Sequence, residues 1–125
     1  MIPENLKYSK SHEWVEFLEG NKARIGLTDH AQQEMGGLVF INLPEVGDKI
    51  DPGQSLGDVE SVKTVSEVFA PVGGRVSATN ESLEDQPEKV NENPYETWLV
   101  ELSDVEMGEA LLDAQAYEEF CKEEA

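Results

Sequence analysis

One cysteine, two histidines and nine lysines plus arginines are all that these residue types contribute to a chain of 125 residues. The lone Cys121 excludes an internal disulfide framework and fits a reducing compartment. His12 and His30 have no metal-ligand spacing with each other or with Cys121, so no metal site is expected. Each histidine reads as structural or exposed, and Cys121 as a packing thiol. The chain has no G-x-S-x-G, no G-x-G-x-x-G and no P-loop pattern. No catalytic constellation is therefore expected. No apolar run approaches the length of a membrane span, and no stretch resembles a signal peptide. Residues 1–10 also lack the Arg/Ser-rich character of a transit peptide.

Acid is what the chain has in excess. Asp plus Glu number 27, and the net charge is −18. The imbalance is uneven: residues 1–80 hold 12 acids and 7 bases, whereas residues 81–125 hold 15 acids and 2 bases. Such a surface repels nucleic acid and anionic membranes, so neither is an expected partner. Solubility accounts for most of these carboxylates, and steering toward basic docking surfaces is the second use open to them.

The length predicts one domain over residues 1–125, expected as a monomer. After an extended lead-in, Trp14–Leu18 and Lys22–Leu27 read as strands around the Glu19-Gly20-Asn21 turn. Thr28 is placed to cap a short helix to about Met35, stopped by Gly36-Gly37. Leu38–Leu43 reads as a central strand, Lys49-Ile50 as a brief extended piece, and Ser55–Glu60 and Thr64–Phe69 as two arms of a hairpin. Ala70–Gly74 reads as a bend before a strand at Arg75–Thr79. Ser82 is a candidate cap for one short turn, Pro87 opens another, and Thr97–Leu102 is the last strong strand. Asp104–Glu123 reads as a C-terminal helix, in one piece or in two around Gly108, with the stripe Leu111, Ala114, Tyr117, Cys121. Many short strands with Gly/Pro turns and a terminal helix predict a small mostly-β sandwich or barrel.

Lys63 stands alone near the tip of the hairpin at about residues 57–70. The nearest basic residues are Lys49 and Arg75. A lysine there offers a flexible stem ending in an acylatable amine. On general grounds an exposed lysine is more often simply solubilising, and the residues alone leave both readings open.

The segments Y-S-K-S-H-E-W-V (8–15), I-G-L-T-D-H-A-Q (25–32), V-F-I-N-L-P-E-V-G-D (39–48), E-S-V-K-T-V-S-E-V (60–68), A-P-V-G-G (70–74), V-N-E-N-P-Y (90–95) and L-L-D-A-Q-A-Y (111–117) cover nearly the whole length. In this order they make the chain resemble the H protein of the glycine cleavage system, a family of lipoyl carriers. The resemblance implies a barrel-sandwich hybrid of two antiparallel sheets, lipoyl/biotinyl-carrier-like, with short helices and a C-terminal helix. It implies covalent lipoate on Lys63, and Glu60 and Gly74 as positions read by the lipoate-attaching enzyme. Gly74 also has a reason of its own, since a missing side chain permits close backbone approach or positive φ.

The implied partners are a pyridoxal-phosphate-dependent glycine decarboxylase, a tetrahydrofolate-dependent aminomethyltransferase and a dihydrolipoamide dehydrogenase. The chain would then be a shuttle and not an enzyme, taking an aminomethyl group from the first to the second and being reoxidised by the third. Glu13 and Glu67 are candidates to line a pocket that shelters the loaded arm, against the reading that both are solvated surface acids. Gly37 stands where relatives often carry an acid, and Y-E-T-W-L (95–99) lacks a glycine frequent in relatives. A biotin carrier would show Met on both sides of the lysine, where Val62 and Thr64 stand here. Two alternatives remain: a lipoyl relay supplying other enzymes, and an unmodified acidic interaction protein. The short lead-in favours the bacterial cytoplasm, with the mitochondrial matrix second.

Overall fold

The computed structural model describes residues 2–108 and 110–124. Among these residues nine strands form two antiparallel sheets. The larger runs in the order β1 (Lys7–Tyr8), β2 (Glu13–Leu18), β3 (Lys22–Leu27), β9 (Trp98–Met107), β8 (Val72–Thr79), β5 (Lys49–Ile50). The smaller is β4 (Leu38–Asn42), β6 (Ser55–Ser61), β7 (Val65–Phe69). Alternation along β3 and β9 sends Ala23, Ile25, Val100 and Leu102 into a core completed from the smaller sheet by Leu38, Ile41, Val59 and Val68. This is the barrel-sandwich architecture expected from the sequence.

Four helices fill the corners: α1 (Asp29–Met35), α2 (Ser82–Asp85), α3 (Lys89–Glu92) and α4 (Ala114–Glu124). Thr28 caps α1 as expected, its Oγ1 accepting from the Ala31 amide at 3.2 Å. Ser82 does not cap α2; it is the first helical residue, and its hydroxyl bonds Asn80 Oδ1 at 2.7 Å.

Two expectations are corrected. Asp104 does not open the C-terminal helix. Strand β9 continues through it to Met107, which pairs with Val72, and α4 begins only at Ala114. Asp104 takes a positive φ of 50°, an excursion that Asp tolerates, and Val105 then donates to Asn21 O at 3.3 Å. The Ser-Asp step is thus an irregularity inside a strand whose partner holds it on both sides. Leu111, assigned to the helical stripe, lies ahead of α4 and packs against the sheet core, while Tyr117 is the stripe's fully buried member.

Likewise Gly73-Gly74 are no bend. They lie inside β8, because a Cβ on Gly73 would stand 2.7 Å from Ile50 O and one on Gly74 2.5 Å from Ser103 O. Here glycine permits close strand approach.

A second apolar cluster attaches α4 to the larger sheet through Leu6, Tyr8, Trp14 and Tyr117. Tyr8 and Tyr117 stack with centroids 4.8 Å apart, and Tyr8 exchanges backbone bonds with Leu112 at 2.8 Å each way. No helix among the described residues is long and apolar enough to cross a membrane.

Candidate functional site

The smaller sheet carries the hairpin that bears Lys63. Antiparallel pairing of β6 with β7 runs to Glu60↔Val65, and the tip closes with Ser61 N donating to Thr64 O at 2.8 Å. The Ser61 hydroxyl accepts from both the Lys63 and Thr64 amides at 3.1 Å, so the tip backbone is fixed by its own side chain. Val62 donates to Gly37 O at 3.2 Å, tying the tip to the turn between α1 and β4. Lys63 is exposed, and among the described residues no carboxylate pairs with it. Lys49, by contrast, is engaged by Asp51 and Glu106 at 3.4 and 3.1 Å.

The turn under the lysine is itself built. Gly36 has φ 82°, and a Cβ there would lie 2.9 Å from Lys63 Cε, so the lysine stem passes over a bare backbone. Asn91 on α3 locks this turn. Its Nδ2 donates to Gly36 O and Gln32 Oε1 at 2.9 Å, and its Oδ1 accepts from the Leu38 amide at 2.9 Å. Sequence reasoning had no role for Asn91 beyond its place in the V-N-E-N-P-Y segment. From the same segment, Pro94 O accepts from Trp14 Nε1 at 2.9 Å, and the Trp14 ring fills the space a Cβ on Gly26 would need.

Glu60 is exposed on β6, one residue before the tip, between Phe40 on one neighbour and Val65 on the other. Phe40, Val39, Val62 and Val65 are all largely exposed, so the hairpin and the strand beside it present apolar side chains next to an acid. Gly74 is buried in β8 with φ 152°. Its position is explained by backbone approach to Ser103, whose carbonyl oxygen would lie 2.5 Å from a Cβ there.

Glu13 and Glu67 differ sharply. Glu67 is exposed on β7 opposite Asp58. Glu13 is only 2% exposed. Its Oε1 accepts from the hydroxyls of Ser9, at 2.7 Å, and Ser11, while Oε2 accepts from the Phe69 amide at 3.3 Å. Burial pushes its carboxyl up from 4.5 to about 7 despite these three donors. Glu13 therefore reaches β7 two residues beyond Glu67, on the strand that leads down from Lys63. An open cleft of about 860 Å³ begins there, lined by Ser9, Lys10 and Ser11 on one side and by Phe69, Ala70 and Pro71 on another. Glu67 is not among its lining residues. The period-two run Ser9, Ser11, Glu13 was the available signal that two hydroxyls share a face with this acid.

A lysine bare of partners on a rigid tip, supported by a glycine turn and followed down its strand by a buried acid and a cleft, suits a protein that carries a group and does not transform it. The Glycine cleavage H-protein family model matches residues 6–124. The chain belongs to the glycine cleavage H-protein family. A Glycine cleavage system H protein of Lachnoclostridium phytofermentans is 53% identical over 123 residues, covering 98% of this chain and 97% of that protein. One from Halalkalibacterium halodurans is 54% identical over 126 residues, with 98% of each covered. The crystal structure of a glycine cleavage system H protein from Mycobacterium marinum superposes with a TM-score of 0.88 at 35% identity, covering 98% of both chains. Family membership makes the protein a carrier of the lipoyl class and not an enzyme.

Proposed function

We propose that this chain is the lipoyl carrier of a glycine cleavage system, with lipoate in amide linkage on Lys63. The observation that carries the reading is the exposed, unpaired lysine held on a tip fixed by Ser61 and by the Val62 contact to Gly37. Those residues fit the group: an attaching enzyme needs a reachable amine whose backbone is already ordered, so little ordering entropy opposes capture. Acylation removes the lysine charge and leaves a long tether. Held by Lys63, lipoate would supply the sulfur pair whose carrier and redox chemistry links a pyridoxal-phosphate-dependent glycine decarboxylase, a tetrahydrofolate-dependent aminomethyltransferase and a dihydrolipoamide dehydrogenase.

The chain's own residues prepare these encounters. Glu60 and the apolar Phe40 and Val65 beside it offer the attaching enzyme a recognisable surface, with Gly74 keeping β8 close to β9 behind the cleft's Pro71 wall. Glu13, beneath the Ser9 and Ser11 wall of the cleft, meets the cationic end of the loaded arm, and Glu67, exposed on β7 outside the cleft, adds its charge from a distance. A carboxyl that burial keeps near neutrality ionises when an ammonium approaches, so Glu13 gains most from the loaded state. The acidic surface steers basic partner faces. A bacterial cytoplasmic location fits the source of the relatives.

Intact mass is the test. Protein from lipoate-replete cells gains a lipoyl-sized mass that Lys63→Arg abolishes, and the modified chain supports glycine-dependent CO2 exchange with the decarboxylase. A biotin-sized addition, or none, overturns the reading. Lipoylation without exchange activity would favour the relay.

A further inference from the structure

Three side chains that the sequence keeps far apart meet in the fold. His12 lies in the loop before β2, His30 in the first turn of α1, and Cys121 on α4. One potential ligand atom from each lies within 4.8 Å of the others. The two imidazoles face each other at 4.2 Å between centroids. We propose that His12, His30 and Cys121 form a binding site for a zinc-class divalent cation, with Glu124 as the fourth ligand.

His30 Nδ1 is buried and has no hydrogen-bond partner, the only such side-chain nitrogen or oxygen among the described residues. The other nitrogen, Nε2, lies 3.1 Å from Glu34 Oε1. A carboxylate on one ring nitrogen places the proton there and leaves the lone pair on the other, which is the arrangement metal-bound histidines use. An orphaned buried nitrogen is costly without a partner, and a cation is the partner that suits a lone pair on a ring clustered with a thiol and a second imidazole. His12 is held at φ 73° by its surroundings. Its Nδ1 lies 2.7 Å from the Tyr117 hydroxyl and its Nε2 2.8 Å from Glu124 Oε1. With Nε2 on the cation, Nδ1 keeps the Tyr117 hydroxyl and Glu124 passes from His12 to the ion.

Two imidazoles, a thiolate and a carboxylate are a borderline-soft set that matches Zn²⁺ in tetrahedral geometry. Bonds of roughly 2.0–2.3 Å place neighbouring ligand atoms about 3.3–3.8 Å apart, so the side chains must converge by about 1 Å. Glu124 is partly exposed at the end of α4 and is free to swing in. On binding, the Cys121 thiol gives its proton to solvent and its sulfur to the cation. The bound ion would pin α4 to the loop before β2 and to α1, a function for Cys121 that packing alone does not supply.

The test uses the full chain stripped with a chelator. Zn²⁺ is titrated against a chromophoric competitor, and Co²⁺ is added to read the thiolate-to-metal charge-transfer band. The expected result is one Zn²⁺ per chain, with affinity weakened about tenfold or more by Cys121→Ser and by His30→Gln. The Co²⁺ charge-transfer band is lost in Cys121→Ser, while Glu84→Gln on the remote α2 changes nothing. Circular dichroism verifies that each variant is folded. Absence of one-to-one binding overturns the proposal. So does binding that survives both substitutions, which would be diffuse attraction to the acidic surface.

Discussion

Glu13→Gln isolates the energetics of the buried carboxyl. In the folded chain its pKa is raised from 4.5 to about 7 by burial. A carboxyl raised on folding binds more protons in the native than in the unfolded state between those values. Stability is therefore greatest below about 4.5 and falls as pH rises toward about 7, the reverse of a salt-bridged acid. The interval corresponds to about 3 kcal/mol at 1.36 kcal/mol per pH unit, as an upper figure. Glutamine keeps the shape and an acceptor for Ser9 and Ser11 but cannot ionise. Urea unfolding of both chains, in chelator, from pH 4.5 to 7.5 should show the wild type losing about 2–3 kcal/mol relative to Glu13→Gln. Parallel pH profiles would refute the reasoning. The variant should also shorten the lifetime of the aminomethyl-loaded arm at neutral pH, because a neutral amide cannot counter the ammonium. An unchanged lifetime would remove Glu13 from the sheltering role while leaving the stability argument intact.

Gly74→Ala should destabilise by about 2–4 kcal/mol, since its φ of 152° and a Cβ 2.5 Å from Ser103 O demand both strain and backbone movement. The urea midpoint measures this, and a wild-type midpoint would contradict it. Lipoylation of the variant at a temperature where it remains folded then separates recognition from folding. Asn91→Ala removes three hydrogen bonds from the turn under Lys63 and leaves the Leu38 amide and Gly36 carbonyl without their partner. A loss of about 2 kcal/mol is expected. Amide exchange should accelerate at Leu38, and unchanged exchange there would show that the turn stands without Asn91.

The parts of the fold legible in the sequence are those whose pattern is local. The Lys22–Leu27 strand, the Thr28 cap and the lysine hairpin each follow from alternation or capping chemistry within a few residues. The misread parts depend on distant neighbours. Asp104 has a helix-starting composition, but β8 supplies pairing on both sides of it and β9 continues. Gly73 and Gly74 look like turn residues, yet their cause is the carbonyl of Ile50 and the carbonyl of Ser103. The site divides the same way. The place of Lys63 near a hairpin tip is legible because a tight tip is local, whereas its role comes only from the resemblance of the flanking segments. The burial of Glu13 is not, because the amide it binds belongs to Phe69. Nor is the meeting of His12, His30 and Cys121, whose spacing in the chain excludes every contiguous metal motif.

Gly36 shows how one residue serves two levels at once. At the level of the helix it is a stop: its amide donates to Gln32 O at 3.0 Å and its φ of 82° turns the chain out of α1. That stop uses φ 82° with ψ −162°, a region essentially open to glycine alone. The second level is the stem of Lys63, whose Cε would stand 2.9 Å from a Cβ here and would have to swing aside. With Asn91 holding the Gly36 carbonyl and Val62 donating to the neighbouring Gly37 carbonyl, the turn becomes a fixed floor under a mobile side chain. A carrier needs this contrast. Its tether must move freely, and the point from which it swings must not, since each partner has to find that point in the same place on the surface. Rigidity spent on the backbone at 36–38 and 61–64 leaves the entropy of motion in the arm alone.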